Sequence, residues 1–167
     1  ILEAIEDHRR GWDLPRSMHE QRVVRDSCSI EHILPQEWSR HWPARSERDE
    51  QQRTEMVHTL GNLTLTTQAL NSSVSNGAWS GGKREALKNH SSLLLTHDII
   101  EMGESEWTTD LIRERTARMI EDIIEIWPVP EGHSGAVAGA IELAQSRVVV
   151  ADLVNAGMLS PGQVLYA

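Results

Sequence analysis

The chain has 167 residues, enough for one ordinary domain and part of another, and its net charge of −9 argues against a broadly basic nucleic-acid-binding surface. Its single cysteine excludes an intramolecular disulfide framework and a zinc site built from Cys-x-x-Cys pairs, and favours a reducing, cytoplasmic setting. No apolar run approaches the roughly 20 residues that a membrane-spanning helix needs, and no signal peptide pattern opens the chain, so we expect no membrane partner.

The first half of the chain alternates helical and extended patterns. Residues 1–10 place apolar side chains at helical spacing, and because the pattern starts with Ile in mid-helix we expect a piece of a longer protein. Residues 29–34 form an extended pattern that Pro35 ends, and the polar stretch 44–59 is typical of a surface helix. We expect Gly61 to close that helix in the left-handed conformation common at helix ends.

The second half predicts one more strand and three more helices. Apolar and polar residues alternate over 62–67, as in a half-buried strand, and a helix is predicted to follow over 68–76. After a Gly-Gly turn, residues 83–89 start another helix. The clearest helix is 109–127, because its apolar side chains recur every three or four residues and two prolines follow it. The stripe consists of Ile112, Thr116, Ile120, Ile123 and Trp127.

Composition divides the chain into three parts. Residues 1–130 carry the patterned elements and are expected to form the main domain. Residues 131–147 begin with a stretch rich in glycine, alanine and serine and are predicted to be a linker. Residues 148–167 either start a second small module or pack on the main domain, and both alternatives stay open.

Two short segments each combine polar side chains that can do chemistry with the apolar residues of a strand. The first is Ser-Ile-Glu-His-Ile-Leu-Pro-Gln at residues 29–36, and the second is Leu-Gly-Asn-Leu-Thr-Leu-Thr at residues 60–66, followed by Asn71. Adjacent strand residues point to opposite faces, so Glu31 and His32 cannot both be ordinary core residues. A carboxylate and a carboxamide suit a hard cation such as Mg²⁺ or Mn²⁺, and a neutral imidazole accepts protons from water. An acid, a base and a metal together are what phosphodiester hydrolysis requires.

These motifs resemble those of HNH nucleases with the ββα-metal fold. In that pattern an acidic residue and a histidine precede Ile-x-Pro, and the later asparagines have the nine-residue spacing of Asn62 and Asn71. The closer resemblance is to the C-terminal nuclease domain of GmrSD-type modification-dependent restriction enzymes. SspE-type proteins, which act with DNA phosphorothioation in phage defence, carry a similar domain. The resemblance covers about residues 1–130 and includes Ser-Asn-x-x-Trp, Ile-x-x-Arg and Lys83.

The resemblance implies a role for each motif residue. Glu31 and Asn71 would hold the metal, and His32 would be the general base that activates water. Asn62 would orient the loop that carries the base. Lys83 would lie near the substrate phosphate or the departing oxygen. Because the last motif residue is Asn71 rather than histidine, Mg²⁺ or Mn²⁺ is favoured over Zn²⁺.

The resemblance also implies an α+β fold, with a small ββα-metal HNH core embedded in a mostly helical domain. The implied activity is that of a metal-dependent DNA endonuclease, the effector of a restriction or phage-defence protein, that nicks DNA or cuts both strands. The family pairs this domain with an upstream nucleotide-hydrolysing sensor domain, which this chain does not contain. Two other functions stay open: a catalytically decayed module that binds nucleic acid or protein, and a toxin-like RNA nuclease.

Each assignment has a purely structural alternative. Asn62 could cap a turn, and Asn71 could be a helix N-cap. Asn76 is expected to be a turn residue, and it is the alternative ligand if the register of the motif shifts. Lys83 could be a solvated residue at the start of a helix. Among the other histidines, His58 stands out because it shortly precedes the Gly-Asn-Leu motif. The tryptophans replace the absent phenylalanine as core bulk.

Overall fold

Two antiparallel strands and the helix that follows them form the centre of the fold in the computed structural model, which describes residues 1–12, 25, 27–74, 77–129 and 131. Strand β1 spans Cys28–His32, strand β2 spans Leu63–Thr67, and helix α3 follows directly over Gln68–Val74. The register runs from Cys28 opposite Thr67 to His32 opposite Leu63. The expected strand–strand–helix core is therefore confirmed.

Further helices surround this centre in the part of the chain that the structure describes. They are α1 (Leu2–Arg9), α2 (Glu47–Met56), α4 (Arg84–His90), α5 (Leu94–Met102) and α6 (Thr109–Ile126). The architecture is α+β and mostly helical, as the sequence predicts, although α5 has no counterpart among the predicted elements. None of the described helices is long and apolar enough to cross a membrane.

Helix α6 is the longest described element and closes one side of the core. It begins where the Thr108 hydroxyl accepts a hydrogen bond from the backbone N–H of Leu111. Its predicted stripe is buried as expected at Ile112, Thr116, Ile120 and Ile123. Trp127 lies just past the helix end and is partly exposed. The stripe therefore ends one step earlier than the periodicity predicts.

The apolar side chains pack in two clusters. The first joins α1, β2, α5 and α6, and its fully buried members include Ile5, Leu95 and Met119. The second surrounds the segment after β1 and contains four tryptophans, which the sequence predicts as core bulk. These four are Trp38, Trp42, Trp79 and Trp107, none more than 8% exposed.

The conformation of Gly61 differs from the expectation. The prediction of a left-handed helix cap is wrong, because Gly61 lies in a short 3-10 turn, Leu60–Asn62, and its φ is not positive. Packing explains the glycine instead. A Cβ at this position would lie 2.1 Å from the carbonyl oxygen of Ile112 and 2.3 Å from Thr116 Oγ1. The turn can therefore lie directly against α6 only without a side chain.

The predicted linker (131–147), apart from its first residue, and the tail (148–167) lie outside the described residues, and so does Asn76. The boundary of the main domain near residue 130 and the nature of the tail therefore stay predictions.

Candidate active site

The end of β1 carries Glu31 and His32 on opposite faces of the sheet, as strand alternation requires. Residues directly opposite on antiparallel strands share a face, so Glu31 lies on the face of Ser29 and of its partner Thr64. Glu31 is only 6% exposed, whereas His32 is half-buried at the edge. The carboxylate therefore belongs to the interior, while the imidazole is accessible.

A buried lysine links Glu31 to His32. Lys83 Nζ lies 2.6 Å from Glu31 Oε1 and donates a 2.6 Å hydrogen bond to the backbone carbonyl of His32. Burial raises the pKa of the Glu31 carboxyl and lowers that of the Lys83 ammonium, while each charge opposes the other's shift. Lys83 is 0% exposed, so the alternative of a solvated lysine is wrong. Its contact with a substrate phosphate stays a prediction.

Asn62 is fully buried and uses its whole carboxamide to hold the loop after β1. Its Oδ1 accepts hydrogen bonds from the Leu34 backbone N–H at 2.8 Å and from Trp107 Nε1 at 3.1 Å. Its Nδ2 donates to the carbonyls of Leu34 at 2.9 Å and of Val57 at 2.8 Å. Two accepted and two donated bonds saturate an amide side chain. Asn62 therefore does more than cap its own turn.

Arg115 supports the same turn from the side of α6. Its guanidinium is fully buried and donates hydrogen bonds to the carbonyls of Gly61, Leu63 and Leu95 at 2.7, 2.8 and 3.0 Å. Burial lowers the pKa of Arg115 to about 9. The Ile-x-x-Arg pattern was the sequence signal for this residue. The indole bond from Trp107 to Asn62, in contrast, had no sequence signal beyond the expected burial of tryptophan.

Asn71 lies within α3, over the face of β1 that carries Glu31. Its Nδ2 donates a 3.0 Å hydrogen bond to Ser29 Oγ, and Ser29 shares a strand face with Glu31. Its Oδ1 accepts no hydrogen bond from the described residues. Because α3 begins at Gln68, Asn71 is inside the helix, and the N-cap alternative is wrong.

The imidazole of His32 contacts a second imidazole. Its Nε2 lies 3.1 Å from Nδ1 of His58, and the two rings meet edge to face with centroids 5.2 Å apart. Burial lowers the pKa of His32, and the nearby His58 and Lys83 lower it further. His32 is therefore neutral near pH 7, as a proton acceptor must be. His58 is thus a direct neighbour of the predicted base. The sequence indicates it only through its position shortly before the Gly-Asn-Leu motif.

Glu31 and Asn71 are the motif residues that could hold a divalent cation. Both offer oxygen atoms, and Mg²⁺ often binds through only one or two carboxylates while keeping several waters. No group of three or more His, Cys, Asp or Glu side chains comes together within the described residues. Such a hydrated ion would take oxygen ligands from the Glu31 carboxylate, which also pairs with Lys83, and from Oδ1 of Asn71.

A family model described as GmrSD restriction endonucleases, C-terminal domain, matches residues 1–122. The chain belongs to this family. The GmrSD C-terminal domain is an HNH-type nuclease domain of restriction enzymes, so the resemblance that the motifs imply is confirmed at that level. The matched segment includes the whole candidate site: Glu31, His32, Asn62, Asn71 and Lys83. No curated protein and no solved structure matched the chain.

Proposed function

We propose that this GmrSD-type domain hydrolyses DNA phosphodiester bonds in a reaction that requires Mg²⁺ or Mn²⁺. The observation that carries the proposal is the position of His32, an accessible imidazole that directly follows a buried carboxylate at the end of a strand. Its lowered pKa keeps it unprotonated near pH 7, which a general base requires. Membership of a restriction endonuclease family supports the same chemistry.

In this mechanism His32 takes a proton from the water that attacks the phosphorus atom. Asn62 holds the loop that follows His32, and Lys83 fixes both the Glu31 carboxylate and the His32 carbonyl. Glu31 and Asn71 would hold the divalent cation, which would supply charge neutralisation at the scissile phosphate and the 3′ leaving oxygen. Cleavage leaves 5′-phosphate and 3′-hydroxyl ends.

The charge of the chain bears on how the domain reaches its substrate. A net charge of −9 gives little general affinity for DNA, because that affinity depends on lysines and arginines that neutralise phosphates. An upstream nucleotide-hydrolysing sensor domain of the same protein would therefore deliver the nuclease to DNA. One such site cuts one strand, so the domain alone is a nickase, and double-strand cleavage takes two copies.

The direct test is nicking of supercoiled plasmid by the purified chain. We expect open circles with Mg²⁺ or Mn²⁺, and none with EDTA or with Zn²⁺ as the only metal. Full activity in chelator, or with Zn²⁺ alone, would contradict the proposed ligands. A folded chain that cuts no DNA would support the decayed binding module instead. Faster cleavage of RNA than of DNA would support the toxin-like alternative.

A further inference from the structure

His58 lies where a partner of the general base would be. It follows α2 and precedes the turn of Asn62, and its Nδ1 lies 3.1 Å from Nε2 of His32 with the ring planes at 87°. A hydrogen bond between two neutral imidazoles needs one N–H and one lone pair. The contact therefore couples the position of the proton on His32 to that on His58.

Asn62 fixes the backbone on both sides of this contact. Its Nδ2 donates to the carbonyl of Leu34, two residues after His32, and to the carbonyl of Val57, which immediately precedes His58. Asn62 is 0% exposed and makes no bond to either imidazole in the described structure. A single buried side chain thus aligns the two segments that bring the rings together.

We propose that His58 is a positioning residue that selects the tautomer of His32 able to act as a base. In this arrangement Nε2–H of His32 donates to Nδ1 of His58, which leaves the lone pair of His32 at Nδ1 for the attacking water. The opposite arrangement would place the proton at Nδ1 of His32, where it would block proton transfer. The inference rests on the proposed function of His32 and adds a role for His58.

The surroundings of the rings favour this direction. His58 is exposed, so its Nε2–H can donate to water while its Nδ1 accepts from His32. Neutral histidine intrinsically prefers the Nε2–H tautomer, and both rings adopt it only when His32 is the donor. The Gln36 amide nitrogen lies 3.5 Å from each ring nitrogen of His32, so it does not select between them.

The same bond stabilises the product of proton transfer. When His32 accepts a proton at Nδ1 it becomes a cation whose Nε2–H still donates to His58. An acceptor at that position orients the ring and stabilises the cation, as the orienting group does for the histidine of a catalytic triad.

The first test reads the tautomer without metal or substrate. Ring ¹⁵N spectra of the full chain at about pH 8, where an ordinary imidazole is neutral, should show His32 protonated at Nε2 only. The signals are assigned by their loss in His32→Ala. His58→Leu should give a mixture of tautomers, and His58→Asn, whose Oδ1 can accept in place of Nδ1, should restore the single form. A proton on Nδ1 of wild-type His32 would overturn the inference.

The second test measures plasmid nicking by the same variants. His58→Leu should lower the rate by roughly tenfold, a part of the ~10² to 10⁴-fold effect of a general base, and His58→Asn should restore most of it. The matched control is His97→Leu, which removes an exposed imidazole from α5 and should leave the rate unchanged.

Two outcomes would contradict the role of His58. A wild-type rate in His58→Leu would show that the contact does not serve the base. Equal losses in the leucine and asparagine variants would show that His58 matters only for packing. If the wild-type chain nicks no plasmid, the proposed function fails, and the ¹⁵N spectra still decide the tautomer.

Discussion

The end of β1 separates two regions that differ in how completely their polar groups are bonded. At the end of β1, the half-buried ring of His32 contacts His58, and its two ring nitrogens lie 3.5 Å from the amide nitrogen of Gln36. Behind it, Asn62 and Lys83 form a support in which each side chain is fully buried and bonded to the backbone around His32. An edge group must leave room for a substrate, whereas a buried polar group that loses its partner destabilises the fold by about 1–3 kcal/mol. Substitutions should therefore separate activity from stability.

The largest effect is expected on the nicking rate, from the loss of His32 at the end of β1. His32→Ala should lower plasmid nicking by at least roughly two orders of magnitude, because general-base catalysis contributes ~10² to 10⁴-fold. Thermal unfolding should change little, since the ring is half-buried and makes few contacts. Near-wild-type nicking by a folded His32→Ala chain would show that His32 is not the general base.

The next largest effect is expected on stability, at the buried ion pair of Lys83 and Glu31. Lys83→Met should destabilise the domain by about 3–5 kcal/mol, because it leaves the Glu31 carboxylate buried without its partner. Urea unfolding measures the change. The double variant Glu31→Gln, Lys83→Met should recover part of the stability, since neither charge is then unpaired. If the losses of stability in the two single variants add up in the double variant, the ion pair is not the source of the destabilisation.

A smaller effect should mark the contact between the turn and α6. Gly61→Ala should destabilise the fold by about 1–3 kcal/mol or more, because the new methyl group would overlap the carbonyl oxygen of Ile112 and the backbone nitrogen of Thr116. The control is Gly82→Ala, where a Cβ meets nothing within 4 Å and which should stay within about 0.5 kcal/mol of wild type. Equal denaturation midpoints for the two variants would contradict the close approach.

The smallest effect is expected in the pH dependence of nicking, which reports on the protonation of His32. A general base works in its unprotonated form, and burial, aided by His58 and Lys83, lowers the pKa of His32 from its ordinary value of 6.5. The acid midpoint of the nicking rate should therefore lie below pH 6.5, because the rate declines only as His32 is protonated. A rate profile with its acid midpoint above pH 6.5 would show that another group limits the reaction.

The sequence predicts the end of β1, where His32 lies, better than the buried contacts of Asn62 and Lys83. Alternation over 62–67 and the run that Pro35 ends locate both strands to within two residues, and the stripe of α6 is found because its period is long and regular. Helix α5 begins at Leu94, and Leu93 before it provides no side-chain cap that would mark the start of a helix in the sequence. The burial of Lys83 depends on a carboxylate distant in the chain, which no local pattern encodes.

The bonding of Asn62 has a consequence for the motions of the site. The loop after β1 has no ladder partner at Leu34, yet the Leu34 amide is held by a buried carboxamide oxygen. That amide can exchange its hydrogen with solvent only when Asn62 is released, and release would also free Val57 and Trp107. Exchange at Leu34 should therefore be as slow as in the strands. The segment that directly follows the proton acceptor His32 is irregular in shape, but its backbone should be as protected from exchange as that of the core.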